Sequence, residues 1–221
     1  MNIQMHHIQK HILRTLMYNK RAKFSDMRPP RVDSNAYSYH LRVLQKDGLV
    51  EKTDKGYRLS PDGLFYVDKV SMDNLETRVQ PKIITMIVIQ NELGEVLVYS
   101  KNKQPFIQSM MLPFGKVHID DLTIIDAARR EMTEKVGVIA DDLKHVGECH
   151  IRAKINGHLV WNVLAHVHTA RLTTKQLQGD KHQWLNKDQR QTHKFVPASE
   201  EIIKIALSSK QFFFETFETE W

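Results

Sequence analysis

The sequence predicts two domains that each mix helix with strand. A small basic α+β domain occupies residues 1–70 and a larger α/β domain occupies 82–221, with a linker at 71–81. Three observations predict this. First, residues 1–70 hold 13 Lys and Arg against 7 Asp and Glu, which accounts for the whole formal net charge of +6, while residues 71–221 hold 19 of each. Second, apolar residues recur with a helical period near the N-terminus and in β-branched runs and alternating strands further on. Third, the stretch between, SMDNLETRVQP, is polar, has no apolar period and ends in proline.

Composition narrows the class. Apolar content of 41% and charged content of 26% suit a globular chain rather than a disordered or membrane one. No apolar run reaches membrane-spanning length, and MNIQMHHIQKHIL lacks the apolar region of a secretory signal. Cys149 is the single cysteine, so no intrachain disulfide can form. A cytoplasmic location is the expectation, with Cys149 as a buried thiol.

In chain order, Met5, Ile8, Ile12, Leu13 and Leu16 predict a helix over 3–18. Phe24-Ser25-Asp26-Met27 has room for one short helix before Pro29-Pro30 stops it. Asp33 or Ser34 can cap a helix from Asn35 to Lys46, with Ala36, Tyr37, His40, Leu41 and Leu44 inward and Asp47-Gly48 at its end. Residues 49–52 and 57–59 read as two strands around Thr53-Asp54-Lys55-Gly56. Ser60-Pro61 then opens a helix to about Val70.

Helices followed by a two-stranded wing and a further helix make a winged helix-turn-helix. The stretch NAYSYHLRVLQKDGLVEK closely resembles the recognition helix and wing of bacterial winged-helix repressors such as the arsenic-repressor family. That resemblance implies duplex DNA as a partner. It turns Ser34, Asn35, Ser38, Tyr39 and Arg42 toward the major groove, where Arg reads guanine and Asn reads adenine. Arg31, Lys52, Lys55 and Arg58 would meet phosphates, which position rather than specify. The resemblance also implies a homodimer on two-fold half-sites. The alternative is a winged helix used only for protein contacts; the charge asymmetry favours DNA.

In the second part, Lys82–Ile89 is a β-branched strand, Asn91–Glu95 a turn and Val96–Ser100 the return strand. Leu143–Lys154 and His158–Arg171 flank Asn156-Gly157, a strong hairpin dipeptide. A two-residue turn there sets His145 opposite His168, with His166 two positions along on the same face. Solvated or core-edge histidines are favoured over a metal site there, because no Cys or carboxylate completes a ligand set. Thr173–Leu177 can start a short helix, Trp184 is expected to pack against the domain, and Pro197 opens a last helix with Ile202, Ile203, Ile205, Ala206 and Leu207 apolar. Phe213, Phe217 and Trp221, at four-residue intervals, either cap the core or form a partner surface; capping is favoured.

Between these elements stands MLPFGKVHIDDLTIIDAARREMTEKVGV, residues 111–138. A loop, Leu112 to Lys116, leads to a helix ended by Gly137. Glu131, Glu134 and Lys135 share one helix face, and Ile124, Ile125, Ala128, Met132 and Val136 form the core face. Clustered carboxylates beside a loop suit a hard cation and a pyrophosphate.

This stretch resembles the Nudix box, G-x5-E-x7-R-E-U-x-E-E-x-G-U, at Arg130, Glu131, Met132, Glu134, Gly137 and Val138. It departs from the box in several places. Gly115 to Arg130 is one residue longer than the family spacing, and the mid-box Glu is at best Asp121. The second Glu of the pair is Lys135, and Gln183 stands where some members carry a Glu before a Trp. The resemblance implies an α/β/α sandwich with a mixed sheet, and Mg²⁺ or Mn²⁺ held by Glu131, Glu134 and the Gly115 carbonyl. It makes Glu131, Glu134 and Arg130 the catalytic set, with Arg130 bracing the loop through Asp121. A Glu131–Lys135 ion pair is expected, with Lys116 and Lys135 available to ligand phosphates. The expected function is a DNA-binding regulator whose Nudix-like domain takes a nucleoside diphosphate derivative, for example a nucleotide sugar. Some regulators of NAD metabolism pair the two domain types in the reverse order. An active, Mg-dependent pyrophosphohydrolase carrying a DNA-binding domain is the alternative, and a dimerisation scaffold the second alternative.

Overall fold

The structure is a computed structural model and describes residues 5–71, 75, 79–177 and 181–221. The chain divides into two compact units, Met1–Val79 and Gln80–Trp221. Within the expected linker, residues 72–74 and 76–78 lie outside the described residues, as do residues 3 and 4 of the first expected helix. Leu75 is buried in the first unit's core, so at least this linker position is packed.

The first unit consists of α1 (His7–Tyr18), α2 (Ser34–Lys46), a hairpin of β1 (Val50–Thr53) and β2 (Gly56–Leu59), and α3 (Pro61–Lys69). Ile8, Ile12, Leu13 and Leu16 of α1 meet Tyr37, Leu41 and Leu44 of α2 in one core. Asp33 caps α2 by accepting from Asn35 N–H at 3.1 Å, and Ser60 caps α3 by accepting from Gly63 N–H at 2.9 Å. Two expectations fail. Phe24–Met27 is a turn, not a helix: Asp26 N–H donates to Lys23 O at 3.1 Å, and the chain reaches Pro29 before a nucleus can propagate. Ala36 is exposed rather than inward.

The second unit is built on an eight-stranded mixed sheet in the order β10-β7-β8-β3-β4-β5, with β6 on β3 and β9 on β4. The strands are β3 (Lys82–Gln90), β4 (Val96–Ser100), β5 (Met110–Met111), β6 (Phe114–Lys116), β7 (Lys144–Ile155), β8 (His158–Arg171), β9 (Gln183–Leu185) and β10 (Phe213–Glu220). The helices are α4 (Ile124–Lys135), α5 (Lys187–Gln191) and α6 (Ser199–Ser208).

Central β3 is covered on both faces, which is why its apolar run is continuous. Ile87 and Ile89 pack with Leu97 and with Ala128, Met132 and Val136 of the α4 side. Ile84, Met86 and Val88 pack in a second cluster with Ile202, Ile203 and Ala206 of α6. Leu207 is exposed, contrary to expectation, and α6 begins at Ser199 because Ala198 has a left-handed φ of 64°. Thr174–Gln176 is a 3-10 turn, and Trp184 packs on the α4 side.

Asn156 and Gly157 have φ of 50° and 76°, as a type I′ turn needs at both central positions. His145 does pair with His168, but through two compensating irregularities, between Ala153 and Lys154 and between His145 and Gly147. The aromatic tail is a strand running parallel to β7. A four-residue interval keeps one face in a strand as well, so Phe213, Phe217 and Trp221 all reach the α6-side core. The Trp221 ring sits edge-on to Phe106 at 4.9 Å. No described helix is long and apolar enough to cross a membrane.

Candidate functional site

The site grows from β6. Thr85 of β3 pairs with Gly115, and Ile87 N–H donates to Pro113 O at 2.8 Å, so the loop is fixed as a short strand beside the sheet's centre. Thr123 caps α4, accepting from Asp126 N–H at 3.2 Å. The helix ends at Lys135, where Gly137 at φ 81° closes the turn.

Glu131 is 3% exposed. It does not join a solvent-facing stripe with Glu134 and Lys135 as its spacing suggests; it points into the gap beneath β6. Ala127 takes a buried place on α4, while Ile124 and Ile125 are only half-buried. A β-carbon on Gly115 would lie 1.7 Å from Glu131 Cδ and 1.9 Å from each carboxylate oxygen, so only glycine lets this side chain in.

Arg130 holds the loop and both carboxylates together. Its Nε and Nη2 donate to Asp121 Oδ1 and Oδ2 at 2.9 and 2.8 Å, a two-pronged pair. Nη2 also donates to Lys116 O at 2.9 Å. Nη1 donates to Glu131 Oε1 at 2.7 Å and reaches Glu134 Oε1 at 3.4 Å. The Arg130 hydrogen bond, helped by the His118 N–H at 2.7 Å, pulls the Asp121 carboxyl down to about 2. The same Asp121 bond is the main reason that Arg130 titrates above its ordinary value. The expected bracing of the loop through Asp121 is therefore present in the geometry.

The expected Glu131–Lys135 pair is not. Glu131 is committed to Arg130 and to the interior, whereas Lys135 is exposed on the last turn. Glu131 Oε2 is buried and has no hydrogen-bond partner. Glu134, Lys116 and Lys135 are exposed around it. A residue that sequence reasoning passed over is Tyr99 of β4. Burial, with a contribution from Glu131, pushes its hydroxyl up to about 12 even though the Phe114 backbone bonds it. No local pattern marks Tyr99, because its neighbours Phe114 and Glu131 come from separate elements later in the chain. A cavity of about 530 Å³ at Gln90, Asn91, Arg171 and Thr173 includes none of the box residues, so it is not this site.

On the first unit, Arg31, Ser34, Asn35, Tyr39, Arg42, Lys52, Lys55 and Arg58 are exposed and Ser38 is half-buried. Tyr39 is 60% exposed, and Arg42 Nε donates to Ser38 O at 3.3 Å, which lays its side chain along α2. Arg58 is already paired with Glu51 across the hairpin, a contact that reduces its availability for phosphate.

Comparison with known proteins bears on the second unit. The model of the NUDIX domain matches residues 80–207. Among solved structures, the mMutator MutT protein from Bacillus halodurans is similar with a TM-score of 0.50 and 20% identity, covering 63% of this chain and 90% of that one. The NUDIX domain of Shewanella oneidensis NrtR, complexed with ADP ribose, gives a TM-score of 0.49 and 14% identity over 59% of this chain and 88% of that one. The NrtR structure complexed with a 27mer DNA gives 0.49 and 14% over 56% and 59%. No curated protein matches the sequence.

Proposed function

Given that the chain belongs to the NUDIX family, we infer that its second unit binds a nucleoside diphosphate derivative and that its first unit, a winged helix-turn-helix, binds duplex DNA. The protein then acts as a ligand-responsive transcriptional regulator in the cytoplasm, as a homodimer on paired half-sites.

The observation that carries the ligand reading is the position of Arg130. Its guanidinium contacts Glu131 and Glu134 together, and Lys135 supplies positive charge where the family has a third carboxylate. The residues still fit a cation, because Glu131 Oε2 is a buried carboxylate oxygen with no partner, set over Gly115. Glu131, Glu134 and the Gly115 carbonyl would hold Mg²⁺ or Mn²⁺, which when bound neutralises pyrophosphate charge and acidifies a water. Arg130 orients both carboxylates and ties the loop to α4. Lys116 and Lys135, both exposed, draw phosphates toward the site. With one carboxylate fewer than the family pattern, binding outlasts turnover.

The hydrolase reading has one specific point in its favour: Lys135 stands clear of Glu131, so the buried carboxylate is not neutralised by it. One experiment separates the two. Thermal-shift screening of nucleoside diphosphate derivatives with and without Mg²⁺ should find a stabilising ligand, and the same ligand should be hydrolysed slowly or not at all. Lys135→Glu should raise Mg²⁺ affinity and hydrolysis together. Substantial Mg²⁺-dependent turnover by the unmodified chain, abolished by Glu134→Gln, makes this an enzyme that carries a DNA-binding domain.

A further inference from the structure

On the α4 side of the sheet, two strands from Gly115 across Thr85 of β3, β7 and β8 bring together three side chains that share no sequence motif. His145, Glu148 and His166 each offer one ligand atom, and these atoms lie within 4.8 Å of one another. All three residues are half-buried. Strand alternation would put positions 145 and 148 on opposite faces. The irregularity between His145 and Gly147 adds a residue to β7, so that Glu148 pairs with His166 and His145 with His168 on a common face.

We propose that His145, Glu148 and His166 form a binding site for a transition-metal cation of the zinc type. Two unpartnered nitrogens point to a ligand: His145 Nε2 and His166 Nδ1 are both buried and have no hydrogen-bond partner. His166 Nδ1 lies 3.1 Å from Glu148 Oε1 without hydrogen-bond geometry. A nitrogen and a carboxylate oxygen held 3.1 Å apart with no hydrogen bond between them are an arrangement that a shared cation would satisfy. Around a tetrahedral zinc, ligand atoms stand about 3.4 Å apart for bonds of about 2.1 Å. Small side-chain rotations from the present separations reach that figure.

The surroundings suit ligation. His168 is fully buried and stacks on His145 at 4.8 Å, with its Nδ1 3.1 Å from His166 O, so the His145 ring is held in place. Phe212 lies edge-on to His145 at 5.0 Å and supplies an apolar wall. Two imidazoles and one carboxylate leave a fourth position open to water or to a small anion. Such nitrogen-rich sets favour zinc, cobalt or nickel over magnesium, which separates this site chemically from the box.

The test uses the full, tag-free chain, stripped with chelator and titrated with Co²⁺ as the visible probe. About one equivalent should bind with the absorption of a tetrahedral or five-coordinate ion, and millimolar Mg²⁺ should not displace it. His166→Ala should abolish the signal. With millimolar Mg²⁺ present to occupy the box, Glu148→Gln should weaken cobalt binding at least about tenfold. Zn²⁺ should raise the melting temperature of the unmodified chain but not of His166→Ala. If His166→Ala fails to fold by circular dichroism, the near-isosteric Glu148→Gln decides. Cobalt affinity unchanged in Glu148→Gln, displacement by Mg²⁺, or no binding to the unmodified chain would each overturn the proposal.

Discussion

The Glu131 carboxylate occupies the space directly over the α-carbon of Gly115, where a β-carbon would meet its Cδ at 1.7 Å. A strand and a helix are thereby locked at a spacing that admits the Glu131 side chain but none on residue 115. Gly115→Ala should push Glu131 out of its seat and destabilise the second unit by about 1–3 kcal/mol, the range for forced overpacking. Mg²⁺-dependent ligand stabilisation should fall with it. Chemical denaturation and thermal shift on the same variant check both; an unchanged melting temperature would contradict the geometry.

Arg130 is one hub for several acceptors, so its loss strands them together. Arg130→Gln should cost roughly 1–3 kcal/mol through unsatisfied buried partners. Asp121→Asn probes one spoke by its pH dependence. The Asp121 carboxyl titrates at about 2 in the fold, below its ordinary 3.8, so its stabilisation is present above that ordinary value and disappears as pH falls through about 2. Urea melts between pH 5 and pH 2 should show a shallower acid loss for Asp121→Asn than for the unmodified chain.

Cys149 is fully buried, and burial, aided by Glu215 and Glu148, pushes its thiol up to about 12. At pH 8 the native chain should react with a disulfide reagent orders of magnitude more slowly than the denatured chain, because the thiolate is the nucleophile. Full labelling within seconds under native conditions would place Cys149 elsewhere.

The DNA reading predicts two different responses. Arg42→Ala should weaken a specific duplex by about 1–3 kcal/mol and relax its sequence preference, while Lys55→Ala should weaken all duplexes alike and lower the salt slope by about one. Fluorescence anisotropy at several salt concentrations separates them. If neither the chain nor either variant shows salt-dependent retention of any duplex, the first unit has another partner.

What could be read in the sequence is what neighbouring residues settle among themselves. The Asn156-Gly157 turn, the caps at Asp33 and Ser60, and the β-branched run of β3 depend on local conformational preference and periodicity. The Arg130–Asp121 brace was legible through a motif. The box as a fixed order of residues carries it even with an extra residue in the loop.

Where contacts cross between elements, the same letters admitted several outcomes. Phe24–Met27 has helix-compatible residues but no length in which to propagate, and Ala36 lies on the face of α2 that no neighbour covers. Helical spacing grouped Glu131 with Lys135, yet Gly115 on another strand leaves a hole that only Glu131 can enter, and that close approach decides its partner. Glu148 joins His145 and His166 because pairing with β8 forces an extra residue into β7. A bulge of that kind is a property of two strands in register, and neither strand's own sequence contains it.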